Sequence, residues 1–367
     1  MSLLFSPLSL GPLELSNRIV IAPMCQYSAH DGCVSDWHHI HLGNLALSGA
    51  GLLILEATAV EPRGRISHAD LGLWNDDQEA ALAALLASVR RWSAMPLGIQ
   101  LAHAGRKAST TRPWDGGGAI PADHPDGWTT VSASALAYDE RHGVPRALDA
   151  AGIDALVAEF VRAAQRAERI GLDLVEIHAA HGYLLHQFLS PLSNAREDEY
   201  GGSLENRMRL VLRVFDAVRA AVSPTLAVGV RISARDWVGG GGALAQCREL
   251  ARARDARGCH FIHVSSGGLD PRQAISAGPG YQVPFAEAIK AQVRMPVVAV
   301  GLITQPRQAE AVLAEGRADA VALARGILYD PRWPWHAAAE LGATLAPAPQ
   351  FLRCEPQEAR GVFARRA

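Results

Sequence analysis

The chain has 367 residues, 49% hydrophobic and 20% charged, enough to bury a sizeable core and too apolar for disorder. With 35 basic against 37 acidic residues the formal charge is −2, so no chain-wide field draws nucleic acid or an anionic membrane surface, and a negatively charged ligand must be caught locally. Cys25, Cys33, Cys247, Cys259 and Cys354 show no CxxC spacing and are too sparse for a disulfide framework, which predicts a reducing cytoplasm.

Nearly all basic residues are arginine, the lysines being Lys107 and Lys290, a bias suggesting GC-rich bacterial coding. The N-terminus has no basic n-region and meets Pro7 and Pro12 at once, unlike a signal peptide. The longest stretch free of Asp, Glu, Lys and Arg, 37–55, carries His38, His39, His41 and Asn44 and is no membrane span.

Short apolar runs at 19–24, 52–60, 97–101, 174–178, 226–232, 261–264, 297–300 and 320–323 predict eight buried strands. Amphipathic stretches at 37–48, 77–92, 149–170, 204–222, 244–257, 284–293 and 306–315 separate them, and another follows at 334–341. Such repetition gives a doubly wound sheet or a closed (β/α)8 TIM barrel. The count favours the barrel, and the first turn carries Pro23-Met24-Cys25-Gln26-Tyr27 where a dinucleotide fold would place a glycine fingerprint. Gly240, Gly242 and Ala245 satisfy GxGxxA, but inside a four-glycine run six residues past a strand, which reads as a loop. An N-terminal hairpin, a lid-like hairpin region at about 107–147 after strand 3, and a C-terminal arm at about 342–367 are expected within one barrel domain spanning 1–367.

Barrel catalytic groups collect at the C-terminal ends of strands. Cys25 and Tyr27, Glu56 to Thr58, Gln100 and His103, His178, His181 and Tyr183, and Arg231 fall there. Strand alternation turns Glu176 and His178 to one face, and the next turn can bring His181 alongside. Two such imidazoles can bind a metal, pack as a structural pair, or donate hydrogen bonds to a substrate oxygen; a metal lacks an obvious third ligand. Tyr183 reads as a general acid or as packing, and Cys25 as a nucleophile or a small buried polar residue. Arg231 needs a partner, a salt bridge to Glu176 being the structural alternative. Gly301, Ala324 and Arg325, in the turns after the last two strands, are placed to cradle a phosphate.

Further motifs are Asn17-Arg-Ile-Val-Ile-Ala-Pro23, Asp36-Trp-His38, Gln100-Leu-Ala-His-Ala-Gly-Arg-Lys107, Asp198-Glu-Tyr-Gly-Gly-Ser203, Glu205-Asn-Arg207, Ser265-Ser-Gly-Gly268 and Asp330-Pro-Arg-Trp333. With these in order, the chain resembles the Old Yellow Enzyme family of FMN-dependent ene-reductases, in the thermophilic-like branch that includes xenobiotic reductases.

The resemblance implies tightly bound, non-covalent FMN and NADPH or NADH as hydride donor. Pro23, Met24 and Ala57 would hold the flavin ring by their backbone, and Gln100 and Arg231 by their side chains, with Cys25 beside N5 and O4. Gly301, Ala324 and Arg325 would bind the FMN phosphate. His178 and His181 would bind the oxygen of an α,β-unsaturated carbonyl or nitro substrate, with Tyr27 also reaching it. Hydride from N5 would reach the β-carbon while Tyr183 protonates the α-carbon.

Three departures stand out. Gly239-Gly-Gly-Gly242 replaces an acidic and aromatic loop, and the phosphate turn reads Ala324-Arg325 rather than Gly-Arg. Phe351-Leu-Arg353 lies where the branch sends a residue into a neighbour's site, making Arg353 a candidate in an expected homodimer or higher oligomer. A metal-dependent hydrolase using His178 and His181, or a flavin-free phosphate-binding barrel, are the alternatives.

Overall fold

Residues 2–364 are described in the computed structural model. Strands β1 (Leu8–Leu10) and β2 (Leu13–Leu15) form the expected antiparallel hairpin. Then follow β3 (Ile19–Ile21), β4 (Leu52–Ala59), β5 (Leu97–Ala102), the short β6 (Val131–Ser132) and β7 (Arg146–Ala147), β8 (Leu174–Ala179), β9 (Ala227–Ser233), β10 (Ile262–Ser265), β11 (Val297–Ala299) and β12 (Ala320–Leu323). One closed parallel barrel runs β3-β4-β5-β8-β9-β10-β11-β12 and back to β3. This is the (β/α)8 architecture that the strand count predicts.

The helices are α1 (Asp36–Ala46), α2 (Asp76–Arg90), α3 (Ala150–Arg169), α4 (Leu184–Leu189), α5 (Leu204–Ala221), α6 (Leu244–Asp255), α7 (Val283–Lys290), α8 (Pro306–Ala314), α9 (Arg325–Tyr329) and α10 (Trp333–Leu341). Helix α3 shows why they form. Asp149 caps it by accepting the Gly152 amide at 2.7 Å, and Ile153, Leu156, Val157, Phe160, Ala163, Ala164 and Ala167 bury one stripe. Asn75 and Ser203 cap α2 and α5 in the same way.

The interior is layered. Leu10 and Leu15 of the hairpin pack with Val20, Leu52, Leu174, Ala227, Phe261, Val298 and Ala320, sealing the N-terminal end of the barrel. Phe261 takes the space that a side chain at Gly229 would need, since a Cβ there would lie 2.1 Å from its ring. Two residues further along, the two-residue period brings Gln100, Glu176, Arg231 and His263 into register: Gln100 is opposite Glu176, and Arg231 is opposite both His178 and His263.

Strand β3 stops at Ile21, earlier than expected. Ala22 still donates to Leu323 O at 2.9 Å, but Pro23 has no N–H to continue the ladder. A register shift between Leu55 and Ala57 marks a bulge that re-aims Glu56. The excursion after β5 is hairpin-like only at its start, where Ile120 N–H bonds Ser109 O at 2.6 Å; β6 and β7 pair in parallel, which corrects the hairpin expectation for that part. In the C-terminal arm, Leu345 N–H bonds Val362 O at 2.9 Å over a cluster with Phe363 and Trp335; residues 365–367 lie outside the described residues. Among the described residues no helix is long and apolar enough to cross a membrane.

Phe261→Ala should open a cavity under the polar layer and cost about 3–5 kcal/mol. The check is the midpoint of urea unfolding, which should fall well below that of the parent.

Candidate active site

At the mouth of the barrel the first demand is electrostatic. Glu176 is fully buried, yet Gln100 Nε2 donates to its Oε1 at 2.6 Å and His263 Nδ1 lies 2.9 Å from Oε2. Burial alone would raise its pKa; His263, Arg231 and Gln100 overcome that and hold the carboxyl below its ordinary value. Both carboxylate oxygens are thus engaged by groups other than Arg231, so the salt bridge to Glu176 is not the contact formed. Arg231 is 8% exposed, and its Nε is buried with no hydrogen-bond partner among the described residues.

Beyond this layer β8 runs into the turn 180–183. His181 and Gly182 both take positive φ, +57° and +76°, and a Cβ at Gly182 would lie 2.1 Å from Gly268 O, so only glycine fits there. The turn brings three rings onto one wall. His178 and His181 stand 5.1 Å apart at 84°, and His178 and Tyr183 5.0 Å apart at 80°. Burial, then the Arg231 charge, pushes both imidazoles well below their ordinary pKa, so they are neutral at pH 7. Burial pushes the Tyr183 phenol well above its ordinary value and keeps it protonated.

The protons on these imidazoles follow from their partners. His178 Nδ1 accepts the Ala180 amide at 3.3 Å, which puts its proton on Nε2. His181 Nε2 lies 2.7 Å from Ser265 Oγ. Gln282 Oε1 already accepts the Ser266 hydroxyl at 2.6 Å and is 3.4 Å from Ser265, so the Ser265 proton is better placed on His181 Nε2, leaving the His181 proton on Nδ1. Lys107 Nζ donates to His181 O at 2.9 Å and Gly268 O at 2.8 Å, and lies 5.1 Å from the Tyr183 ring centre. Burial lowers its pKa to about 8.

The segment after β3 supplies the facing wall. Gln26 N–H donates to Glu56 Oε2 at 2.8 Å, and Gln26 Nε2 to Met24 O at 2.8 Å, which fixes the chain through Pro23, Met24 and Cys25. Burial raises the Cys25 thiol well above its ordinary value, with Asp70 and Glu56 adding to the shift. The thiolate is thereby suppressed, and with it the nucleophile reading. Tyr27, at φ +49°, packs edge-on against Trp114 with its phenol also raised by burial. Ala57 is buried beside Gln100 in the ladder.

The late turns form a backbone cradle. Gly301 takes φ +130°, where a Cβ would meet Gln282 at 2.9 Å, and Gln282 Nε2 in turn donates to Val300 O at 3.1 Å. Ala324 precedes α9, which starts at the exposed Arg325, so the first amides of that helix have no partner within it. An orphaned Arg231 Nε, an orphaned His263 Nε2 and a glycine-shaped turn fit a ligand with hydrogen-bonding ring edges and a phosphate, as FMN has. Among the described residues no group of three or more His, Cys, Asp or Glu side chains is arranged to hold a metal.

Other candidates lie elsewhere. His103 is bound to Glu61 at 2.7 Å and accepts the Gly105 amide, turning it away from this set. Arg353 is exposed on the C-terminal arm, and Gly239–Gly242 form a loop ahead of α6. Sequence reasoning missed His263, Ser233 and the placement of Lys107, and named Ser265 only as part of a motif. Alternation along 261–265 was the signal for His263 and Ser265; nothing in the sequence brings Lys107 to the turn.

Residues 3–343 match the NADH:flavin oxidoreductase / NADH oxidase family. An NADPH dehydrogenase of Geobacillus thermodenitrificans is 44% identical over 354 residues, covering 96% of this chain and 98% of its own. Morphinone reductase superposes with a TM-score of 0.78 at 32% identity, over 95% of this chain and 92% of its own. The same enzyme in complex with tetrahydroNAD gives a TM-score of 0.76 at 31% identity, over 95% and 93%. The chain therefore belongs to the NADH:flavin oxidoreductase / NADH oxidase family, the Old Yellow Enzymes, and is an FMN-dependent oxidoreductase that uses a nicotinamide cofactor and acts on a small-molecule substrate.

Proposed function

We propose that the chain reduces the C=C bond of α,β-unsaturated carbonyl compounds, and takes nitro compounds through the same oxygen donors. The observation that carries this reading is the wall of His178, His181 and Tyr183, two neutral imidazoles at 84° with a protonated phenol 5.0 Å from the first. When bound, FMN supplies the redox chemistry, carrying hydride from NADPH or NADH to the substrate.

The chain's own side chains do the rest. His178 Nε2–H and His181 Nδ1–H donate to the substrate oxygen, drawing density from the β-carbon and strengthening as negative charge builds there. Tyr183 gives its proton to the α-carbon, and the Lys107 ammonium 5.1 Å from its ring stabilises the phenolate left behind. Tyr27 bounds the substrate from the facing wall. Gln100 and Arg231, with the backbone of Pro23, Met24 and Ala57, hold the flavin ring, Cys25 stands beside it as a neutral thiol, and Gly301, Ala324 and Arg325 hold the phosphate. The unpartnered Arg231 Nε supports this assignment. The reducing cytoplasm, where NAD(P)H is regenerated, suits five unpaired cysteines.

The reading includes a homodimer. Trp37 and Ile40 on α1 are 47% and 66% exposed, and Leu328 and Tyr329 on α9 are 43% and 94% exposed. Arg332, just past α9, donates to Asn44 O on α1 at 3.1 Å, so these apolar groups lie on adjoining elements.

Purified protein should be yellow and bleach anaerobically with NAD(P)H; a colourless, zinc-containing preparation would sink the reading. Tyr183→Phe should slow enone reduction ~10²–10⁴-fold, while stopped-flow bleaching by NADPH survives; unchanged enone turnover would remove Tyr183 from the role. Arg231→Met should weaken FMN binding about 10- to 100-fold, read as released flavin fluorescence on dilution. Light scattering should give twice the 39.1 kDa chain mass.

A further inference from the structure

The turn that carries His181 and Tyr183 is tied to a loop with no role in the reaction so far. Gly182, between the two, donates its N–H to His186 Nδ1 at 2.9 Å. A neutral imidazole accepting at Nδ1 carries its proton on Nε2, and His186 Nε2 stands 2.9 Å from Asp236 Oδ1, a buried charge contact in which Oδ1 makes no aligned hydrogen bond among the described residues. The other carboxylate oxygen of Asp236 accepts the Ser190 hydroxyl at 2.7 Å and the Gly242 amide at 2.5 Å. The Asp236 amide closes the loop by donating to Gly242 O at 3.1 Å.

This closure needs glycine. A Cβ at Gly241 would lie 2.8 Å from Asp236 Cβ, and one at Gly242 would lie 3.0 Å from Asp236 Oδ2. A side chain at Gly241 would force the loop off Asp236, and one at Gly242 would crowd its carboxylate. At the other end, the left-handed backbone of His181 is one that non-glycine residues keep only where surrounding contacts hold it. Ser233 Oγ accepts its amide at 2.9 Å and Lys107 binds its carbonyl; His186, backed by a buried carboxylate, holds the next amide.

We propose that Asp236 and His186 are positioning residues for the reaction: they fix the turn at Gly182, and the absence of side chains at Gly241 and Gly242 lets the loop after β9 close on Asp236. The proposal rests on the function reading, since it takes His181 and Tyr183 as the working groups. Asp236 holds the His186 proton on Nε2, which keeps Nδ1 free to accept. An amide in its place would donate to Nε2, drive the proton to Nδ1 and set it against the Gly182 N–H. The turn would then shift, and displacements near 1 Å at reacting groups cost up to about 10²-fold in rate.

The test uses flavin-loaded D236N, H186L and H186N. Side-chain 15N NMR should show His186 as the Nε2–H tautomer in the parent and as Nδ1–H in D236N. Hydrogen exchange at the Gly182 amide should speed up in H186L. With a cyclic enone, D236N and H186L should lose at least about tenfold in kcat with flavin retained, and H186N, whose Oδ1 can replace Nδ1 as acceptor, should recover most of it. An Nδ1–H tautomer in the parent, unchanged Gly182 exchange in H186L, or parental kcat in both D236N and H186L would overturn the proposal. Should D236N fail to fold, the contrast between H186L and H186N decides it. The NMR and exchange arms need no substrate, so a parent enzyme inert toward every enone would overturn the function reading alone.

Discussion

A carboxylate with no access to water sits at the centre of this barrel, and the site is arranged around keeping it charged. Removing Glu176 from water carries a large desolvation penalty, which only close donors can offset. Gln100 and His263 take its two oxygens, and Arg231 supplies a charge without giving up its Nε. One buried anion thus orients an amide, fixes an imidazole and leaves a guanidinium edge for a ligand. The same Arg231 charge helps to keep His178 and His181 neutral, so the wall above presents N–H donors rather than cations.

Positioning here is layered, with each side chain of the proposed wall held by a neighbour from another segment. Ser265 sets the proton on His181, the Ala180 amide sets it on His178, and Lys107 grips the carbonyl between them and Tyr183. The contacts cross between loops after different strands, which a closed barrel brings together at one end. They convert a turn of strained backbone into a rigid support, and low conformational freedom is what the proposed reaction, with two aligned donors and one acid, demands.

Much of this was legible in the sequence because burial on both faces writes itself as apolar runs. All eight barrel strands follow from such runs, and alternation with the turn after it puts His181 alongside His178. The misses have physical causes. Strand β3 ends early because Pro23 breaks a ladder that composition alone would continue. The short α4 and α9 are too brief for a periodic signal, and the alternation that marks His263 spans only the four residues of β10. The reach of Lys107 across to His181 and Gly268 is tertiary, set by a three-residue helical turn at Gly105–Lys107 that carries no pattern of its own.

The N-terminal hairpin has a consequence for traffic. With Leu10 and Leu15 wedged under an apolar interior layer, the barrel is stoppered at one end and everything that reaches the polar ring comes through the opposite rim. Under the proposed function the electron donor and the electron acceptor would share that one entrance, so each would compete with the other for the site and a surplus of either would slow the cycle.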